Sequence, residues 1–223
     1  MVKLNILQWN VQSLKKRTGN LQNIMSEEEL SVMACQETWL SANDDIKLKN
    51  FNIVRKDRPR GRGGGVCLFI LSLLSYTILN LNTCLEAVAA TIDFPRKRIT
   101  FCSVYIPPNG QFDEDLFRNL IRQLPRPFII LGDFNAHHNM WGSNTDDNRG
   151  EIIAEMITDE NLFLFNNGLP TYLRDSGGTT SNIDLTIGSQ DIAQYLNWEV
   201  CNSLHDSDHF PILLRSSIEA NGY

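Results

Sequence analysis

Long hydrophobic runs are absent from this sequence. No apolar stretch approaches the ~20 residues that a membrane-spanning helix requires. The first residues, MVKLNILQWN, lack the long apolar region and the small-residue cleavage site of a secretory signal peptide. No segment rich in proline, glycine or serine divides the 223 residues, and no internal repeat is present. These absences favour one soluble globular domain over a membrane protein or a secreted precursor.

Cysteine is scarce, and its spacing argues against two common structural roles. The five cysteines are odd in number and never occur as a CxxC pair. This pattern argues against a zinc site and against a disulfide framework. We therefore expect reduced, mostly buried thiols of an intracellular protein, at Cys35, Cys67, Cys84, Cys102 and Cys201.

Positive charge is in the minority, and the net charge is −6. That balance argues against nucleic-acid binding unless the basic residues are clustered. They are clustered, because RKDRPRGR at 55–62 holds five basic residues and one acid, and PRKR at 95–98 adds three. Each segment is either a solvated loop or a contact for phosphate groups. In the second interpretation the DNA-binding residues include Arg58, Arg60 and Arg62.

Hydrophobic periodicity predicts many short strands and a few helices. Strands are expected at residues 4–10, 31–37, 51–57, 64–71, 86–94, 98–106, 127–133, 162–166, 181–189, 198–202 and 210–216. Helices are expected at residues 18–30, 112–124, 148–161 and 191–196. This order predicts a single α/β domain over residues 1–223, with two packed β-sheets flanked by helices.

Polar side chains follow or interrupt several of the predicted strands. The stretch FIILGDFN at 128–135 places a carboxylate and a carboxamide directly after a buried apolar run. A buried carboxylate is costly unless hydrogen-bond donors or a cation accompany it. Each such residue alone is most simply a turn-former or a cap. Together they exceed what turns require: Asn10, Glu37, Tyr105, Asp133, Asn135, Asp184, Asp208 and His209.

These side chains indicate metal-assisted phosphoester chemistry. Carboxylates without clustered cysteine or histidine select a hard cation such as Mg²⁺ or Mn²⁺. Beside such a cation, a carboxylate orients or deprotonates water, and a histidine stabilises the phosphorane-like state. Neutral amides donate hydrogen bonds to phosphate oxygens without adding repulsive charge. The residues alone therefore predict a metal-dependent phosphoesterase.

Several short motifs resemble, in order, those of the endonuclease/exonuclease/phosphatase superfamily. They are WN at 9–10, QET at 36–38, VYIPP at 104–108, GDFN at 132–135, SNID at 181–184 and SDH at 207–209. Further segments resemble the apurinic/apyrimidinic-endonuclease-like endonuclease domain of non-LTR (LINE-type) retrotransposons: RGRGGGVCLFI, YIPPN, GDFNAHHNMWGS and DSDHFPI. The resemblance implies a four-layer α/β sandwich.

The resemblance also implies which residues bind the metal and the attacking water. Glu37, with Asn10 nearby, corresponds to the principal Mg²⁺ position, where Mn²⁺ is an alternative ion. Asp208 resembles a second acid near the metal. Asp133 corresponds to the residue that aligns or activates the attacking water, and Asn135 to a donor to a phosphate oxygen.

The other motif residues correspond to groups at or behind the scissile phosphate. Tyr105 matches the tyrosine that contacts this phosphate or the leaving side. His209 matches the imidazole that stabilises the pentacovalent state, and Asp184 matches its orienting carboxylate. Ser207 and Thr171 resemble polar residues that contact the phosphate or support the residues that do.

A hairpin is predicted between Thr171 and Ser181, because YLRDSGGTTS carries a Ser-Gly-Gly tip. In LINE-type relatives the hairpin at this position probes the DNA minor groove and helps to select the target. By resemblance we expect Thr180, Ser181 and the hairpin tip to contact DNA. Minor-groove insertion reads groove width and deformability more than base edges.

His137 and His138 follow the GDFN motif and suggest a zinc site at first sight. No further ligands stand at zinc spacing. Packing beside Trp141 is therefore the expectation, and contact with DNA is the alternative.

The resemblance implies a Mg²⁺-dependent endonuclease that nicks one strand of duplex DNA and leaves a 3′-hydroxyl and a 5′-phosphate. In a retrotransposon this 3′-hydroxyl primes reverse transcription, so a reverse transcriptase domain is expected in the same polyprotein, with this domain as its N-terminal part. A monomer is expected, made in the cytoplasm and acting in the nucleus. Three alternatives stay open: a repair apurinic/apyrimidinic endonuclease, a phosphatase of inositol phosphates or lipids, and an inactive DNA-binding module.

Overall fold

Two mixed six-stranded sheets form the centre of the computed structural model, which describes residues 2–59, 61, 63–95, 97–109, 112–174 and 178–216. The first sheet has the strand order β13 (Leu196–Val200), β14 (Ile212–Ser216), β1 (Asn5–Asn10), β2 (Val32–Gln36), β4 (Val66–Leu71) and β3 (Phe51–Lys56). The second has the order β5 (Ser75–Leu79), β6 (Glu86–Phe94), β7 (Lys97–Tyr105), β8 (Phe128–Asp133), β12 (Asp184–Ser189) and β9 (Leu162–Leu164). A two-stranded ribbon joins β10 (Tyr172–Leu173) to β11 (Thr180–Ser181).

Three longer helices cover the outer faces of the two sheets, and a fourth, short helix packs Ile192 into the layer between them. They are α1 (Leu14–Glu28), α2 (Glu114–Arg122), α3 (Asn148–Asp159) and the short α4 (Gln190–Ala193), with a 3₁₀ turn at Asn139–Trp141. Asp113 and Asp147 cap α2 and α3, since each side chain accepts a hydrogen bond from a backbone N–H of the first turn. Among the described residues, no helix has the length and apolarity needed to cross a bilayer.

Alternation along the strands divides the core into three apolar layers. The central layer lies between the sheets and includes Ile6, Phe101 and Leu131. A second layer packs α2 and α3 on the second sheet, and a third packs α1 on the first. The order helix, sheet, sheet, helix confirms the predicted sandwich.

The strand directions bring polar strand ends to one edge of the sandwich. Each sheet contains one parallel pair, β1 with β2 and β7 with β8, whose carboxyl ends meet at the same edge. Strand β12 runs antiparallel to β8, so its first residue, Asp184, lies opposite Asp133. Asn10, Asp133 and Asp184 follow the alternation of the inner faces, and they therefore point between the sheets.

Two buried glutamines join the sheets just inside this edge. Gln8 is fully buried, and its Nε2 donates to the carbonyls of Gly132 (3.0 Å) and Leu185 (3.2 Å) across the interface. Gln36 is equally buried and donates to Ser103 Oγ (3.0 Å) and to the Leu131 carbonyl (3.1 Å). Directional hydrogen bonds in an apolar layer disfavour sliding of one sheet over the other.

Most of the predicted elements are confirmed, with shifts at their ends. Helix α1 begins at Leu14, four residues before its predicted start. The predicted helix at 191–196 is only Gln190–Ala193, since Leu196 already belongs to β13. Strand β5 was missed, because this edge strand mixes polar and exposed positions and lacks a buried apolar run. The predicted hairpin is confirmed at its base, whereas its tip at 175–177 lies outside the described residues.

Replacing Gln8 by leucine tests the junction between the sheets. Leucine has a similar volume, but it leaves the cross-sheet carbonyls without their side-chain donor. We expect the free energy of unfolding, measured by urea denaturation, to fall by about 1–3 kcal/mol. The exposed Gln22→Leu on α1 serves as the control and should change stability by less than about 0.5 kcal/mol. Equal losses in the two variants would contradict a joining role for Gln8.

Candidate active site

One open cleft of about 750 Å³ lies at the edge where the strand ends meet. Most of the residues predicted for catalysis line it: Glu37, Tyr105, Asp133, Asn135, Asp208 and His209. Asn10 and Asp184 lie directly behind this lining, since both contact residues within it. Segments far apart in the chain therefore converge on one place, as the motifs predicted.

A buried acid–histidine network forms the floor of the cleft. His209 Nδ1 lies 2.8 Å from Asp184 Oδ2, and His209 Nε2 faces Asp208 (3.6 Å) and Asp133 (3.9 Å). Burial alone would lower the pKa of His209, but the carboxylates of Asp184, Asp133 and Asp208 outweigh it and raise the pKa to about 9. His209 is therefore an imidazolium at neutral pH, with the Nε2–H directed toward the cleft.

Burial acts on the pKa of Asp133 in the opposite direction from its effect on His209. Its carboxyl is 1% exposed, and burial, followed by the negative charge of Asp184, raises its pKa to about 7. His209 and a hydrogen bond from Asn10 act against this shift. A carboxylate that binds a proton near neutrality is suited to accept one from water.

Asn10 connects the two sheets at the cleft. Its Nδ2 donates to Asp133 Oδ2 (2.9 Å) on the second sheet and to Glu37 Oε1 (3.3 Å) beyond β2. Glu37 itself has a left-handed backbone with φ of 49°, which costs a residue with a Cβ about 1–2 kcal/mol. This conformation directly follows the end of β2, and the Glu37 side chain lines the cleft.

The donor set near Glu37 fits a hard divalent cation. Glu37 and Asp208 both line the cleft and offer carboxylate oxygens, and Asn10 adds an amide beside Glu37. Asp208 Oδ1 is buried and has no hydrogen-bond partner among the described residues. Such an oxygen is costly to bury alone, and a cation would satisfy it. Oxygen donors without thiolates select Mg²⁺, Mn²⁺ or a similar ion.

Tyr105 lines the cleft, and Arg58 packs on the Tyr105 ring. Burial, reinforced by the negative charges of Glu37 and Asp133, raises the pKa of the Tyr105 phenol, so its hydroxyl stays a donor at neutral pH. The Arg58 guanidinium lies 5.6 Å from the centre of the Tyr105 ring, and its Nε and Nη2 donate to Glu86 (2.8 and 2.6 Å). The basic charge predicted to meet DNA phosphates is thus paired with an acid at Arg58. Arg60 and Arg62 lie outside the described residues.

The loop after Asp133 is held in a defined shape. Asn135 has φ of 47°, which asparagine tolerates well, and its Nδ2 donates to Asp133 Oδ1 (2.9 Å) and the Ile106 carbonyl (3.1 Å). Arg149, on α3, donates from Nη1 to the carbonyls of Phe134 and Asn135. Its Nη2 donates to the carbonyl of Pro107, in the loop that follows β7.

The ribbon and two loops also line the cleft. Thr180 and Ser181 line the cleft, as predicted for DNA-contacting residues. Asn182 Nδ2 donates to the carbonyls of Trp141 (2.7 Å) and Gly168 (3.1 Å), which ties the ribbon to both loops. At its base, the ribbon contacts the catalytic floor through Tyr172, whose ring centre lies 4.7 Å from that of His209.

Thr171 and Ser207 support the site from behind. The resemblance placed them near the phosphate, but both are buried, and neither lines the cleft. Thr171 Oγ1 accepts hydrogen bonds from the backbone of Ile183 and Asp184, which orients the carboxylate partner of His209. Ser207 Oγ donates to the Asn10 carbonyl (2.8 Å). Of the two roles that the resemblance left open, these contacts favour support of the site over direct contact with the phosphate.

His137 and His138 differ in their surroundings. The His138 ring packs on Trp141 with ring centres 5.2 Å apart, which confirms the predicted packing. Its Nδ1 accepts from the Met140 N–H (3.0 Å) and caps the 3₁₀ turn. His137 lines the cleft and contacts Asp147 through Nδ1 (3.0 Å).

Three residues near the site were missed from the sequence. Gln12 Nε2 donates to Asp208 Oδ2 (2.6 Å), Trp39 Nε1 donates to Glu37 Oε2 (3.0 Å), and Arg149 holds the Asn135 loop. Gln12 and Trp39 lie two residues after Asn10 and Glu37, and this proximity is the one feature of the sequence that could have pointed to them. Arg149 stands in a predicted helix and carries no such signal.

Comparisons with known proteins agree with this geometry. A family model described as endonuclease-reverse transcriptase matches residues 99–213. The chain is 25% identical over its whole length to a probable RNA-directed DNA polymerase from transposon X-element of Drosophila melanogaster. It is 28% identical, over 94% of its length, to the RNA-directed DNA polymerase from mobile element jockey of the same species. The chain spans about a quarter of the length of these curated relatives, 25% and 23% respectively.

Solved structures share the fold over nearly the whole chain. The endonuclease domain of TRAS1, a telomere-specific non-LTR retrotransposon, superposes with a TM-score of 0.82 at 22% identity, covering 97% of this chain and 99% of that one. An AP endonuclease from Archaeoglobus fulgidus gives a TM-score of 0.72 at 14% identity, covering 96% of this chain and 100% of that one. Because the family model covers more than half of the sequence, the chain belongs to the endonuclease-reverse transcriptase family, and its fold is that of the hydrolytic nucleases of the endonuclease/exonuclease/phosphatase superfamily.

Proposed function

We propose that the chain is a Mg²⁺-dependent endonuclease that nicks one strand of duplex DNA and leaves a 3′-hydroxyl and a 5′-phosphate. The observation that carries the proposal is the convergence of the Asp184–His209 pair, Asp133 and Glu37 on one open cleft. A cleft accessible along its length suits a backbone phosphate within a long polymer.

Glu37, Asp208 and Asn10 would hold the cation, since they supply the hard oxygen donors of the cleft. When bound, Mg²⁺ supplies a positive charge that stabilises the developing charge on the phosphate oxygens. Gln12 and Asn10 hold the carboxylates of this set by hydrogen bonds, which limits their rearrangement during the reaction.

His209 acts on the phosphate as a charged donor. Asp184 accepts from Nδ1, so the proton on Nε2 faces the cleft. There the Nε2–H donates to a non-bridging phosphate oxygen and stabilises the pentacovalent state as negative charge accumulates. Tyr105 keeps its proton and donates to the phosphate or to the departing O3′.

Asp133 orients the attacking water and accepts its proton. Asn10 and Asn135 each donate to one of its oxygens, which fixes the carboxylate plane. Attack forms the new P–O bond in line with the P–O3′ bond that breaks, and O3′ leaves with the bonding pair and takes a proton from solvent to become the 3′-hydroxyl.

The curated relatives are RNA-directed DNA polymerases of mobile elements. We infer from them that this domain belongs to a longer polyprotein with a reverse transcriptase domain, and that the 3′-hydroxyl primes reverse transcription. On this proposal the domain acts in the nucleus on chromosomal DNA. The fold likeness to an AP endonuclease favours abasic DNA as a second candidate substrate.

A plasmid assay tests the proposed activity. With Mg²⁺ present, we expect the wild-type protein to nick supercoiled DNA, and His209→Ala or Glu37→Gln to be slower by at least ~10²-fold, because each removes one transition-state or metal contact. Cys84→Ser, at an exposed position, is the control and should nick at the wild-type rate. Folded variants with wild-type rates would contradict the site, and exclusive cleavage of an abasic duplex would identify a repair enzyme instead.

The pH dependence tests the two titrating groups. Asp133 must lose its proton to act as a base, so the nicking rate should rise as pH passes about 7. His209 must keep its proton to act as a donor, so the rate should fall above about 9.

In NMR titrations, Asp184→Asn should lower the His209 pKa by about one unit or more, because a buried partner charge is lost, while Asp147→Asn should not. A wild-type His209 pKa near 6.5 would contradict the network.

Exchanging residues 174–179 tests the ribbon as a target selector. Tyr172 is left in place because its ring packs on His209. We expect a changed map of nick positions on random-sequence plasmid, with turnover altered by less than about threefold, since the residues on the cleft floor stay in place. An unaltered map, read by sequencing the nicked ends, would refute the selector role.

A further inference from the structure

Trp39 is exposed beside the cleft residue Glu37, although tryptophan is usually buried. Trp39 is 40% exposed. Its backbone is left-handed with φ of 53°, a conformation that costs about 1–2 kcal/mol. The ring belongs to none of the three apolar layers of the described core. Packing therefore does not account for a tryptophan here.

The polar edge of the indole contacts Glu37. Trp39 Nε1 donates to Glu37 Oε2 (3.0 Å), while Asn10 Nδ2 donates to Glu37 Oε1 (3.3 Å). Each of the two carboxylate oxygens therefore has a protein donor, and the Tyr105 hydroxyl hydrogen-bonds to the same carboxylate.

The backbone fixes the position of the indole. Trp39 N donates to the Gly64 carbonyl (2.9 Å), and Thr38 N donates to the Gly65 carbonyl (3.2 Å). A Cβ on Gly65 would lie 2.5 Å from Thr38 Oγ1, so this close approach requires glycine. A Cβ on Gly63 would lie 3.5 Å from Trp39 Nε1, which places the glycine segment against the indole edge.

We infer that Trp39 is a positioning residue that holds Glu37 in the orientation required to bind the divalent cation. The inference rests on the proposed function, because it assigns Glu37 to the cation. Glu37 is half-buried. Without the indole N–H, Glu37 Oε2 loses a protein donor, and the side chain gains rotational freedom that cation binding must then remove.

Mn²⁺ binding measured by isothermal titration calorimetry and electron paramagnetic resonance tests this inference without reference to activity. Trp39→Phe keeps an aromatic ring but removes the N–H, and we expect its Mn²⁺ affinity to fall about tenfold. Trp198→Phe is the matched control, because that indole N–H donates to Thr186 Oγ1 in the central core, and its Mn²⁺ affinity should stay within twofold of wild type. Glu37→Gln supplies the reference for loss of the site.

A second readout separates positioning from folding. Trp39→Phe should need about tenfold more Mg²⁺ for half-maximal nicking, yet approach the wild-type rate at saturating Mg²⁺, while circular dichroism stays unchanged. Unchanged Mn²⁺ affinity in Trp39→Phe would overturn the inference, whether or not DNA binding is weakened. If wild type and Glu37→Gln bind Mn²⁺ equally, the proposed cation site itself fails.

Discussion

The hydrogen bond from Asn10 to Asp133 is the contact on which the site depends, because it joins the two sheets where the reacting groups lie. Gln8 lies two residues earlier on the same face of β1 and contacts the second sheet beside Asp133. Because side chains alternate along a strand, the amide of Gln8, which joins the sheets, and the amide of Asn10, which contacts Asp133, lie next to each other on one face of β1. Any shift between the sheets would separate Glu37 from Asp133. The packing of the two sheets therefore fixes the geometry of the cleft.

Burial explains why acids and one histidine share so small a space. Asp133, Asp184 and His209 present ligand atoms within 4.8 Å of one another, and all three are buried. In this environment the proton is retained by His209, while Asp133 stays close to its titration midpoint. Both pKa values are raised, but the higher pKa of His209 keeps it a proton donor while Asp133 is able to accept a proton, so similar surroundings give the two groups different chemical roles.

The sequence predicted the site residues that lie at the end of a strand, where a reactive side chain follows an apolar run. Asp133 after FIIL and Glu37 after VMAC follow apolar runs, so local pattern and chemistry coincide. Gln12, Trp39 and Arg149 could not be found in this way, because their roles arise from contacts that the fold alone creates. Strand β5 failed for a related reason, since an exposed edge strand has little hydrophobic signal.

The base of the ribbon contacts the chemical centre through the rings of Tyr172 and His209 and through the backbone, since Leu173 N donates to the Asp208 carbonyl (2.8 Å). Under the proposed function, the base of the ribbon must support the imidazole and also carry the segment that contacts DNA. Diversification among related elements should therefore accumulate at the tip and spare the base, so that new insertion preferences arise without loss of cutting.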